Sequence, residues 1–241
     1  MTPAVAQEER AQPKGRGYSS AYIWHWPVRV FHWAMFASMV VLIVTGLYIA
    51  QPYFVLAPKI TTPYLMGWMR FLHFLGAGVL VGAILLRLYA LFMGNRYERW
   101  SSLIPHSKKD YVDLVRMAKK YLFQDWWSAP HYFGHNPLQQ ISYTFMYFVL
   151  TFMALTGFAL YGQARPGGFW WNVTTSWVMP LLGGNQFVRL YHHLGMWVIV
   201  VFVVLHVYLA IRSDVLYDRG AVSSIISGYK YKHDRLHYED E

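Results

Sequence analysis

Four runs of roughly 20 residues with almost no charge, at 33–50, 71–93, 141–161 and 190–211, constrain this chain more than any other feature. As a helix, each run spans about 30 Å of hydrocarbon, whereas helices in a soluble core seldom exceed three or four turns. Composition agrees. Hydrophobic residues make up 56% and charged residues 14% of the 241, too little charge to cover a soluble fold, which carries roughly 25%. The expected architecture is all-α and integral to the membrane, a four-transmembrane-helix bundle. Pro27 suits the first turn of helix 1, Pro52 ends it, and Asn136-Pro137 reads as the cap and first position of helix 3.

The formal charge of +9 is a topology signal. Arg10, Lys14, Arg16 and Arg29 precede helix 1, a basic cluster from Arg96 to Lys120 lies between helices 2 and 3, and further basic residues follow helix 4. The positive-inside rule then places both termini and the middle loop in the cytoplasm. The basic residues flank spans and form no recognition module, so no nucleic-acid partner is expected. Residues 1–22 read as a polar, disordered tail without the apolar core of a secretory signal. Residues 23–231 form the membrane domain, and 232–241 a second cytoplasmic tail. Within the middle loop, Tyr111, Leu114, Val115, Ala118 and Leu122 recur at helical spacing opposite Lys109, Arg116, Lys119 and Lys120. This cytoplasmic amphipathic helix either lies on anionic lipid or packs on the loop.

Arg70-Phe71-Leu72-His73 aligns with Arg189-Leu190-Tyr191-His192 at an offset of 119 that also pairs Gly76 with Gly195, and Thr45-Gly46 matches Thr156-Gly157. The bundle therefore reads as two related helical hairpins in parallel orientation. His73 and His192, as repeat mates, fall at one depth near the non-cytoplasmic mouths. His206 lies 14 residues beyond His192, about 21 Å along the axis and near the same face. His32, one turn into helix 1, reaches a comparable depth. Two pairs emerge, His73 with His192 and His32 with His206.

Intramembrane histidines are costly without a function. Zinc wants about four ligands and each level supplies two, whereas haem needs two axial imidazoles. Cysteine is absent, which removes thioether-attached haem, iron–sulfur clusters and thiol chemistry from this chain. His193, rotated about 100° from His192, ranks behind it as a ligand and first as a supporting group. His25 precedes helix 1 and belongs to the interface. Arg87, the repeat mate of His206, either meets a haem propionate or snorkels to the headgroups.

Arg29-Val30-Phe31-His32-Trp33 followed by Thr45-Gly46, together with Arg189-Leu190-Tyr191-His192-His193, Trp197, Phe202 and His206, resembles the two signatures of the b-type cytochrome subunit of membrane-bound nickel–iron hydrogenases. That family is related to the formate dehydrogenase gamma subunit and the cytochrome b561 group. The likeness spans about residues 22–231. It implies a haem-b electron-transfer subunit, not an enzyme on its own, in the bacterial inner membrane, where it anchors a periplasmic hydrogenase. Its partners would be the iron–sulfur small subunit, the nickel–iron large subunit, membrane lipid and quinone, within a complex that can oligomerise. Carried over, His73 and His192 hold a proximal haem b and His32 and His206 a distal one, and electrons leave to quinone. His135 and Asn136 resemble a segment near the quinone pocket, while Asn136 also reads as a helix cap. The rivals are the cytochrome b subunit of a formate dehydrogenase or thiosulfate reductase, a free-standing cytochrome b561, and a haem-free anchor or transporter.

Overall fold

The computed structural model describes residues 17–52, 64–123, 130–216, 220–233 and 237–240. In chain order these form β1 (Tyr18–Tyr22), α1 (Trp26–Ala50), α2 (Leu65–Met93), α3 (Lys108–Phe123), α4 (Pro137–Gly162), α5 (Ser176–Leu181), α6 (Asn185–Leu216), α7 (Ala221–Ser227) and β2 (Tyr229–His233). A short 3-10 turn precedes α3, and a π-helical turn, Trp171–Thr175, precedes α5. The helices α1, α2, α4 and α6 are long and apolar enough to cross a membrane. Each contains one of the four apolar runs and extends beyond it, because a helix continues past the hydrocarbon wherever its polar ends are solvated.

Their entries follow local chemistry. Asn136 opens α4 with a capping box: its side chain accepts from the Gln139 amide at 3.0 Å, and the Gln139 side chain accepts from the Asn136 amide at 3.0 Å. At α1, Pro27 lies in the first turn, and the N-cap His25 makes no side-chain cap of its own. Glu98 supplies that cap from the connection between α2 and α3, accepting from the His25 amide at 2.5 Å and pairing with His25 Nδ1 at 2.7 Å. A carboxylate there satisfies an orphan amide and complements the helix dipole.

α1 packs along α2 and α4 against α6. Gly76 and Gly195 serve these contacts: a Cβ on Gly76 would stand 3.3 Å from Val41 and Leu42, and one on Gly195 would meet Met153. A layer of Met39, Leu80, Met146, Val149, Leu150 and Ile199 draws side chains from all four helices into one core.

At one end, the N-terminal segment, the α2–α4 connection and the C-terminal segment converge. β1 pairs antiparallel with β2, Tyr18 opposite His233 and Tyr22 opposite Tyr229. Lys230 Nζ donates to the Phe133 carbonyl at 2.9 Å, and Asp240 accepts from the Phe133 and Gly134 amides at 2.7 and 2.6 Å. The N-terminal segment thus departs from the expected disordered tail. Residues 1–16 lie outside the described residues, but Tyr18–Tyr22 form a strand, and Tyr238 is buried against Phe133. Each strand is only five residues long, and its partner lies at the far end of the chain, so neither is visible as local periodicity.

α3 buries Asp113, Met117 and Lys120 and leaves Tyr111, Val115, Ala118 and Leu122 exposed. The apolar stripe thus faces away from the protein. Asp113 anchors the buried side, accepting from the Tyr132 hydroxyl at 2.8 Å.

Candidate functional site

Half-buried histidines occupy two levels, above and below the Met39–Ile199 core layer. At the first level, His73 on α2 faces α1, with its Nδ1 2.9 Å from Thr45 Oγ1. His192 on α6 faces α4 in the same manner, 2.9 Å from Thr156 Oγ1. Each hydroxyl also donates to the carbonyl four residues before it, Val41 at 2.6 Å and Phe152 at 2.8 Å. The glycine after each threonine makes room: a Cβ on Gly46 would stand 3.3 Å from His73 Cε1, and one on Gly157 3.3 Å from His192 Cε1.

At the second level, His32 on α1 and His206 on α6 face each other with ring centroids 6.4 Å apart. Two metal–imidazole bonds of about 2 Å plus the two ring radii add to roughly 6 Å, so this spacing suits one metal ion held between the rings. His206 stacks on Phe202 at 5.7 Å and 8° and meets Tyr143 edge-on at 5.8 Å. His32 Nδ1 is buried with no hydrogen-bond partner among the described residues. No group of three or more His, Cys, Asp or Glu that would hold a metal ion is found among the described residues.

The remaining expected residues are placed as follows. His193 turns from the pair, and its Nε2 accepts from the Trp197 indole at 3.3 Å. Arg87 is 4% exposed, so it does not snorkel; it donates to the Glu98 carbonyl at 2.8 Å and to the Tyr147 hydroxyl at 3.0 Å. Asn136 is buried as the cap of α4. His135 lies between Trp24, at 4.9 Å, and Tyr143, at 5.1 Å. Its Nδ1 and the Gln140 Oε1 are buried without partners among the described residues. Burial, then the positive charges of Arg87 and Lys230 and the nearby His206, push the His135 imidazole down to about 3, so it is neutral near pH 7.

The prokaryotic cytochrome b561 family matches residues 23–228. The chain belongs to that family. Relatives in Cupriavidus necator and Azotobacter vinelandii are 38% and 40% identical, covering 95% and 93% of this chain and 95% and 94% of the relative. A relative in Escherichia coli is 34% identical over 91% of this chain and 94% of its own length. The first two are described as a probable Ni/Fe-hydrogenase B-type cytochrome subunit and the third as a probable Ni/Fe-hydrogenase 1 B-type cytochrome subunit. As a member of the cytochrome b561 family with four apolar helices of spanning length, the chain is a multi-pass membrane protein.

Sequence reasoning missed Glu98, Gln140 and Tyr143 around the second level and gave Thr45 and Thr156 no role. The repeated Thr-Gly at matching places was the available signal for the threonines. Glu98 carried none, since a lone acid in a basic loop reads as solvated.

Proposed function

We propose that this b561-family protein is the haem-b electron-transfer subunit that anchors a periplasmic nickel–iron hydrogenase in the bacterial inner membrane and carries electrons from its iron–sulfur small subunit to quinone. The names of the hydrogenase relatives support the partner, and the chain serves the reaction as a redox subunit rather than as the enzyme. The observation that carries the reading is the two-level pairing: His32 opposite His206, and His73 and His192 held by matching threonines.

The residues fit two haem b groups, His73 and His192 at the periplasmic level and His32 and His206 at the cytoplasmic one. Haem b in bis-histidine ligation supplies reversible one-electron transfer. Arg87, buried at the cytoplasmic level, gives a fixed positive charge for a propionate. His193 supports helix α6 beside the proximal pair. His135 offers a neutral ring nitrogen to a quinone carbonyl, with Asn136 fixing the backbone beneath it. The matching contacts of α1–α2 and α4–α6 support two related hairpins within the membrane domain of residues 23–231. The convergence of both terminal segments with the basic α2–α4 connection supports a cytoplasmic location for that end. There the exposed stripe of α3 suits the lipid interface, with Lys109 and Lys119 toward anionic headgroups.

Haem stoichiometry of the purified chain tests the reading. Two b-type haems per chain are expected, falling to one in His73→Ala, with hydrogen-dependent dye reduction by the partner enzyme retained and quinone reduction lost. A colourless protein, or full haem in His73→Ala, would contradict it.

A further inference from the structure

We propose that Thr45 and Thr156 are positioning residues that fix the Nδ1–H tautomer of His73 and His192 and thereby present an unprotonated Nε2 to haem iron. The inference rests on the assignment of those two histidines as ligands.

It follows from counting protons. A threonine hydroxyl has one proton and two lone pairs, and a carbonyl has no proton. Thr45 Oγ1 stands 2.6 Å from the Val41 carbonyl, a contact that the hydroxyl proton must fill. The 2.9 Å contact to His73 Nδ1 therefore has its proton on the imidazole. The same count applies to Thr156, at 2.8 Å from the Phe152 carbonyl and 2.9 Å from His192 Nδ1. A neutral imidazole protonated at Nδ1 keeps its lone pair at Nε2. Gly46 and Gly157 leave room for each ring at Cε1, so the imidazole can approach its threonine.

The arrangement also distinguishes the two levels. An acceptor on the outer N–H makes an imidazole a stronger donor to its metal, which favours the oxidised ion. Both histidines of the first level have such an acceptor. At the second level, His32 Nδ1 has none among the described residues. The threonines thus lower the potential of the first-level haem.

Valine is nearly isosteric with threonine and lacks the hydroxyl, whereas serine retains it. Haem-loaded full-length Thr45→Val, Thr156→Val, Thr45→Ser and Thr156→Ser are compared by haem content, low-spin EPR and potentiometric titration. Each valine variant is expected to shift one midpoint potential upward and move one set of EPR lines, leaving the second haem unchanged, and each serine variant to restore the wild-type signature. Wild-type potentials and EPR lines in both valine variants would overturn the proposal, as would haem loss that serine fails to restore. Full haem content in His73→Ala would instead remove the ligand assignment beneath it.

Discussion

His135 stands between Trp24 and Tyr143 in the ring series Trp24, His135, Tyr143, His206 and His32, in which neighbouring centroids lie 4.9 to 6.4 Å apart. Its side chain folds neutral and is pushed down to about 3, first by burial and then by Arg87 and Lys230. The folded value is below the unfolded one of about 6.5, so the stability tied to the neutral ring is fully present above pH 6.5 and is lost as pH falls toward 3. Each pH unit in that window costs about 1.4 kcal/mol. Between pH 7 and pH 5, thermal unfolding in detergent should show the wild type losing about 2 kcal/mol more than His135→Gln; equal losses would contradict the burial argument. The same neutrality limits chemistry: near pH 7 the ring can donate a hydrogen bond but holds no spare proton, so under the proposed function a quinone beside it would draw its protons from elsewhere.

At the scale of elements, the connection from α4 to α6 is packed closely against α4. Thr175 donates to the Ala159 carbonyl at 2.8 Å, and Trp170 stacks on Phe158 at 4.1 Å with parallel planes. Gly162 admits this return: a Cβ there would stand 2.2 Å from Thr175 Oγ1 and 2.9 Å from the Trp170 backbone. Gly162→Ala should therefore cost about 1–3 kcal/mol and expose the connection to added protease, whereas Gly78→Ala, with open space around its Cα, should not. The elements differ in how far the sequence discloses them. Spans are legible because bilayer thickness imposes a length and excludes charge, and Asn136-Pro137 is legible because capping is a local code. The β1–β2 ribbon, the π-helical turn and the Glu98 cap of α1 depend on partners remote in sequence or on one steric gap. The histidine levels lie between these cases: depth follows from helical rise and the internal repeat, but the turn of His193 toward Trp197 required the fold.

At the scale of the whole molecule, the end of the bundle that carries the β1–β2 ribbon is assembled from segments that are distant in sequence. Tyr238 and Asp240 clamp the loop that ends in His135. Deleting residues 237–241 leaves the Phe133 and Gly134 amides without their acceptor, a loss of about 1–3 kcal/mol per buried group. Such a truncation should open the 130–136 loop to proteolysis and weaken quinone reduction while the first-level haem keeps its spectrum. An unchanged cleavage pattern would show that the clamp is dispensable.

The layer that separates the two histidine levels consists of methionine, leucine, valine and isoleucine side chains contributed by all four long helices. None of these carries an exchangeable proton, so the layer offers protons no relay. In the proposed orientation every electron crosses this insulator alone and moves negative charge inward against the resting voltage, at a cost of up to about 2.3 kcal/mol per 100 mV. Under the proposed function the bundle would then be an electrogenic device as well as a wire, each electron carrying charge across the membrane.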